Sequence, residues 1–355
     1  VLRRQDKGKE AMAQRVKRLR SRRGLAVVTL AVTASAVAAA AGLMTSSSKA
    51  GTANTSASNP TVYMIGSVAN NTFWAAVKRG FEDGGKTFGL RAKYNAPGVH
   101  SSAGSIPLIQ AAIGAKPAGI VINYTDKSIE KVTLQALKAR IGVVLFNNNR
   151  FEPVGGKANT ATTDPRITKL SYVGEDSLAN AKKLATEFLP FIKKKGTVLI
   201  VDPVPGVQVL ALRRQGIESV VKAKGFKTAY LPATLDQGQN LTTIGAYLQA
   251  HKEVVAVVGL GDPTANPAAT YVEKNKLSIP VAAFDVDAEA IQHIKRGSLK
   301  AATDQQPYLQ GYLSAANLAF MIKDHLFPLT INTGSYIVTK KNIGEVEKAV
   351  KAGKG

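Results

Sequence analysis

From residue 61 onward, short runs rich in Val, Ile and Tyr alternate with longer segments whose apolar positions recur every three or four residues. That alternation predicts parallel strands joined by covering helices. TVYMIG (61 to 66) leads into a helix beginning near Thr72, on which Phe73, Val77, Phe81, Gly84 and Phe88 form one stripe. RAKYNA (91 to 96), a helix around 105 to 113, GIVINY (119 to 124), a helix near 128 to 139 and VVLFN (143 to 147) complete a first doubly wound series. A second series opens with LSYVG (170 to 174) and a long helix from Ser177. It continues through GTVLIVD (196 to 202), KTAYLPA (227 to 233), VVAVVGL (254 to 260) and PVAAFD (280 to 285), with helices near 209 to 224, 240 to 251, 267 to 275 and 288 to 296. AATDQQPYLQGY (301 to 312) then enters a long helix ending near His325, and SYIVT (335 to 339) is one more strand.

The expected fold class is therefore α/β, with two doubly wound, Rossmann-like lobes joined by a multi-strand hinge. Lobe I is expected to comprise residues 61–172 plus 306–328, and lobe II residues 173–305 plus 329–355. Ligands of open α/β sheets sit beyond the carboxyl ends of the strands, so the cleft between two facing lobes is the expected site.

The first sixty residues follow another pattern. Arg15, Lys17, Arg18, Arg20, Arg22 and Arg23 precede a charge-free apolar stretch from Leu25 to Met44. Residues 1–44 thus read as an export signal or a retained membrane anchor. Ser21-Arg22-Arg23-Gly24-Leu25 resembles a twin-arginine signal, and Ala36, Ala38 and Ala40 offer signal-peptidase positions. Both alternatives put the body outside the cytoplasm, in the periplasm or on the outer face of the membrane. Residues 45–60, TSSSKAGTANTSASNP, lack large apolar side chains and read as a flexible linker.

Charge and composition remove several function classes. The formal charge is +23, but ten of the 47 Lys and Arg lie before residue 25. From residue 61 on, 36 Lys and Arg face 22 Asp and Glu, spread along the chain, which describes a basic surface and not a nucleic-acid groove. With no cysteine there is no disulfide framework, thiol nucleophile or thiolate metal site. Gly259-Leu260-Gly261-Asp262-Pro263-Thr264 lacks the third glycine of a dinucleotide fingerprint, and neither a phosphate loop nor HExxH nor GxSxG occurs. The four histidines are widely separated. A non-enzyme without cofactor or metal is expected. A repressor is disfavoured because no DNA-reading helix-turn-helix fits ahead of the first strand.

Polar residues crowd the strand ends. SVANNTFW follows the first strand, Asn123, Tyr124 and Asp126 the third, and Asn147, Asn148, Asn149 and Arg150 the fourth. In the second series Asp202, Gly261 with Asp262, Asp285 and then Gln305 hold equivalent places. Amides donate and accept while carboxylates accept from paired hydroxyls, a chemistry suited to neutral polyhydroxylated ligands. Phe73 and Trp74 supply a flat wall for a sugar ring. Each Asn or Asp alone is also an ordinary turn former or helix cap. Phe73 lies on the apolar stripe and Trp74 beside it. Asp285 and Asn123 end buried-looking strands, where function is favoured.

The stretches NNTFWAAVKRGFEDGGKTFGL, AGIVINYTDKSIEKV, SYVGEDSLANAKKLATEFL, VVAVVGLGDPTANPA, VAAFDVDAEAIQHIKRGSLKAATDQQPYLQGY and TGSYIVTKKNIG carry a specific resemblance. Residues 61 to 340 resemble the type I periplasmic sugar-binding proteins, ribose-binding branch, which are receptors of ABC importers. The resemblance implies a monomeric binder of a sugar, polyol or related small molecule, with an importer permease as partner and no nucleic acid. A chemoreceptor or sensor kinase is the alternative client. It also implies that Asn71, Phe73, Trp74, Asn123, Asn147, Asn148, Asp285 and Gln305 contact ligand, and the strand-end pattern adds Asp262. Where ribose binders present Asp-Arg after the fourth strand this chain has Asn147-Asn148; Ala211 replaces an arginine and Gly261 an asparagine. Those departures imply a ligand other than ribose.

Overall fold

The computed structural model of the chain describes residues 58–148 and 164–355. The expected export segment, the linker through residue 57, and Asn149 and Arg150 lie outside the described residues. No helix among the described residues is long and apolar enough to cross a membrane.

Among the described residues, two six-stranded sheets form the body. The first contains β1 (Thr61–Ile65), β2 (Arg91–Asn95), β3 (Gly119–Ile122), β4 (Gly142–Phe146), β5 (Tyr172–Gly174) and β11 (Ile331–Asn332). They lie side by side as β11-β5-β4-β3-β1-β2, all parallel. The Gly-Ile-Val-Ile run of β3 is buried throughout, which explains why a central strand reads as continuously apolar. Helices α1 (Thr72–Thr87) and α10 (Pro307–Lys323) cover one face, where Val77, Phe81 and Leu318 pack on Met64, Val121 and Phe146. Helices α2 (Ser102–Gly114) and α3 (Glu130–Lys138) cover the other, where Ile109 and Val132 pack on Ile120 and Leu145. A short α4 (Pro165–Thr168) precedes β5.

The second sheet has the order β12-β10-β9-β8-β6-β7, from β6 (Thr197–Asp202), β7 (Lys227–Pro232), β8 (Val254–Gly259), β9 (Val281–Phe284), β10 (Leu299–Asp304) and β12 (Tyr336–Val338). Only β12 runs antiparallel to its neighbour. Helices α5 (Ser177–Phe188) and α6 (Gln208–Ala223) lie on one face, and α7 (Gln237–Ala250), α8 (Asp262–Lys274), α9 (Ala288–Arg296) and α11 (Ile343–Lys351) on the other. In both lobes the strand order reverses beside the first strand. That makes a switch point between β1 and β3 and another between β6 and β8.

Among the described residues the chain crosses between lobes three times, at Gly174 to Ser177, Asp304 to Pro307 and Asn332 to Tyr336. This corrects the expected boundaries. LSYVG does not open lobe II, because Tyr172 and Val173 pair with Leu145 and Phe146 of β4. Ile331 and Asn332 pair with β5, so they too belong to lobe I. Periodicity alone cannot tell the last strand of one sheet from the first of the next, and a two-residue strand has no periodicity. Helix α8 also begins five residues earlier than expected. Pro263 fits its first turn, and Pro267 lacks the N–H that would reach the Pro263 carbonyl; the Asn240 amide donates there instead at 2.7 Å.

Helix α10 follows lobe II in sequence but belongs to lobe I in space. A Cβ on Gly311 would lie 2.0 Å from the Val77 carbonyl oxygen, and one on Gly80 1.9 Å from that of Tyr308. The two backbones therefore meet directly. Gly311→Ala is expected to lower stability by about 2 kcal/mol despite alanine's better helix propensity, because the overlap is with rigid backbone. Urea denaturation checks this; an unchanged midpoint would contradict the seam.

Candidate functional site

A cavity of about 380 Å³ lies between the carboxyl ends of the two sheets. Ser67, Val68, Asn71, Phe73, Trp74, His100, Asn147 and Asn148 line it from lobe I. Val204, Val207, Leu210, Arg213, Leu260, Gly261, Asp262 and Asp285 line it from lobe II, and Gln305 from the hinge. Eight of the nine expected site residues are thus brought together. Asn123 is not among the lining residues: it is buried directly after β3, in a loop that the 2.6 Å contact of Ser102 Oγ with Thr125 Oγ1 ties to α2. Neither of its amide atoms has a protein partner. Asp202, another strand-end residue, serves its own turn and accepts from the Val204 N–H and the Tyr230 hydroxyl, each at 3.0 Å.

Backbone conformation aims several of these side chains. Asn147 and Asp285, each one residue past the end of β4 and β9, have φ of 59° and 71°. This left-handed region is one that Asn and Asp tolerate better than most residues. The chain thereby turns sharply at the strand ends. Asn71 caps α1 by accepting from the Trp74 N–H at 3.3 Å, and Trp74 packs edge-on against both Phe73 and Phe146. Trp74 is therefore core and wall at once, while Phe73 is the more open of the two rings.

A buried polar network ties the floor to the crossings. Gln305 donates to Asp285, and Gln310, itself fully buried, donates to the Gln305 backbone and side-chain oxygens at 3.2 Å each. Asn147 donates to Gln310 at 3.2 Å, and the Tyr172 hydroxyl donates to the Asn147 carbonyl at 2.8 Å. At the first crossing, Glu175 and Arg213 form a buried ion pair at 2.6 Å. Glu175 also accepts from Ser177 and Asn180, while Arg213 donates to the Leu260 carbonyl and stacks 4.3 Å from the Phe284 ring centre.

The two site carboxyls sit in surroundings that disfavour charge. Burial, then the negative charges of Asp285 and Asp287, push Asp262 well above the usual carboxylate range, and a hydrogen bond from Asn71 across the cleft opposes this. Asp285 keeps some surface open to the cavity but lies deep in the protein. Its desolvation outweighs the pull of Arg213 and Gln305 and raises it to about 6. His100 is held below its ordinary value by burial, against the pull of Asp126, and its Nδ1 meets Ser67 Oγ. The Asp126 oxygens are engaged by Ser102 and Ser128.

Arg213, His100 and the aliphatic lining escaped the sequence reading. Arg213 had a readable signal, since it shares a helical stripe with Leu210 and Ile217, and a charge on a buried face needs a partner. His100 and Leu235 lie on loops whose direction no periodicity reveals.

Residues 62–325 match the family model of the periplasmic binding protein domain. The xylose/arabinose-binding protein of Sulfolobus acidocaldarius is 24% identical over 293 residues, 79% of this chain and 71% of that protein. The ribose import binding protein of Bacillus subtilis is 26% identical over 257 residues, 72% of this chain and 79% of that protein. Among solved structures, a carbohydrate transporter from Acidothermus cellulolyticus in complex with myo-inositol is 25% identical with a TM-score of 0.71, matching 83% of this chain and 99% of that one. An ABC transporter solute-binding protein from Agrobacterium vitis bound to tagatopyranose shares the fold at a TM-score of 0.73 and 20% identity, over 83% and 98% of the two chains.

Proposed function

The chain belongs to the periplasmic binding protein domain family, and from that premise we propose that it is an exported receptor that captures a sugar or polyol between its lobes and delivers it to an ABC importer. The observation that carries this reading is the shared cavity: lobe I brings Asn71, Asn147 and Asn148, lobe II brings Asp262 and Asp285, and Gln305 enters from the hinge. Hydroxyls shared by both sides would stabilise the closed arrangement, which a permease can distinguish from an open one. The relatives named as sugar-binding proteins support the ligand class. Asn147-Asn148 and Gly261, which line the cavity, favour a ligand other than ribose; the expected loss of an arginine at Ala211 has no bearing on this, because Ala211 is not among the lining residues and the neighbouring Arg213 is. The protein acts as a monomer and without catalysis.

A thermal-shift screen over sugars, polyols and nucleosides, followed by calorimetry, tests this. Reversible binding of a sugar or polyol without metal or nucleotide is expected. Turnover of a hit, or silence across all classes, would refute it.

The raised Asp285 gives a second check on the unliganded protein. Its value of about 6 lies above the ordinary 3.8, so the folded state takes up the proton first. The penalty for burying the charge is present above pH 6 and is relieved as pH falls through 6. Between pH 7 and 5 the wild type is therefore expected to gain stability relative to Asp285→Asn. Parallel denaturation curves for the two proteins would show this assignment wrong.

A further inference from the structure

The cavity between the lobes has two chemically distinct ends. At the hinge the floor is hydrogen-bonding, and Asn147, Asn148 and Gln305 are each buried there. At the mouth the lining is mostly aliphatic, with Asn70 an exposed polar residue among it. Val99 from lobe I is 75% exposed and Leu235 from lobe II is 41% exposed, so both stand at the opening. Val68, Val204 and Val207 are partly exposed around the same cavity. A bare monosaccharide gains little from such a rim, because hydroxyls placed against it would lose water without gaining a hydrogen bond. Aliphatic side chains grouped at a ligand opening are stabilised when an apolar group covers them. The volume of about 380 Å³ is within the range that encloses ligands larger than a single small ring.

We propose, building on the sugar-binding reading above, that the ligand is a glycoside with an apolar aglycone. Its sugar head sits on the hinge floor against Asn147, Asn148, Asp285 and Gln305, and its aglycone lies along the mouth between Val99 on one lobe and Val204, Val207 and Leu235 on the other. The competing role for these aliphatic residues is a dry seal, in which the two rims touch only each other on closure.

Calorimetry with D-glucose, D-galactose, D-xylose and D-ribose separates the two. Each is titrated as the free sugar, as the methyl glycoside and as the phenyl glycoside in both anomeric forms. At least one phenyl glycoside is expected to bind about tenfold or more tightly than its methyl counterpart. In the double variant Val207→Asn/Leu235→Asn that ratio is expected to fall to near one. Both positions are at least partly exposed, and a thermal melt confirms that the variant is folded. Methyl and phenyl forms that bind equally, or a phenyl form that binds more weakly, would overturn the aglycone assignment while leaving the sugar-binding reading intact, with the mouth acting as a seal. A ratio that persists in the double variant would overturn it too, by showing that another surface holds the aglycone. Absence of binding by every form would overturn the aglycone assignment, and only silence across the broader screen of sugars and polyols as well would overturn both readings together.

Discussion

Asp285→Asn is expected to lower ligand affinity about a hundredfold while the protein stays folded. The carboxylate stands at the turn after β9, held by Gln305 and facing the cavity, so it can accept from two adjacent ligand hydroxyls. Hydrogen bonds to a charged group contribute about 1.5 to 3 kcal/mol each, and asparagine keeps only one accepting oxygen without the charge. The same substitution is mild for the backbone, since asparagine also tolerates a φ of 71°. Alanine there would mix a binding effect with strain. Calorimetry gives the affinity and a thermal melt the fold; unchanged affinity would mean that Asp285 does not touch the ligand.

The largest effect on stability is expected at the first crossing. Glu175→Leu should destabilise the protein by about 3 to 5 kcal/mol, because it strands the Arg213 guanidinium, whose side chain is only 5% exposed. Arg213 would keep its hydrogen bond to the Leu260 carbonyl and the charge of Asp285 nearby but lose the carboxylate that it bonds directly. The double variant Glu175→Leu/Arg213→Met should recover most of the loss, since removing both charges removes the desolvation penalty as well. Urea denaturation of the single and double variants measures the difference. A double variant no more stable than Glu175→Leu would show that packing, not the unpaired charge, dominates.

The sequence was most informative where burial was continuous. β3 and β9, enclosed on both faces, announce themselves as apolar runs, and the residues that follow β1, β4 and β9 do reach one cavity. It was least informative at the crossings. β5 has three residues and β11 two, and their place in the first sheet depends on pairing with β4 and with each other. Asn123 shows the limit of reading by strand end alone: it follows a strand just as Asn147 does, yet it is buried and is not among the lining residues. Conversely, His100 and Leu235 reach the cavity from loops, where nothing in the local pattern fixes direction. The early start of α8 was hidden by two prolines whose compatibility with a helix depends on position and on Asn240, far away in sequence.

Neither lobe is a contiguous stretch of chain, and this bears on the order in which the protein can be made. When a growing polypeptide has reached residue 174, five strands of the first sheet exist, but the face lined by Val121, Val144 and Phe146 still lacks Ala315, Leu318 and Ala319 of α10. The second sheet likewise waits for β12 at its edge. Both hydrophobic layers are completed only once residues 307–338 have been made, so an emerging chain exposes apolar surface until then. Contacts of such long sequence separation slow folding and lengthen that exposure. A chain built this way can stay unfolded and open to handling by other cellular machinery until α10 and β12 arrive.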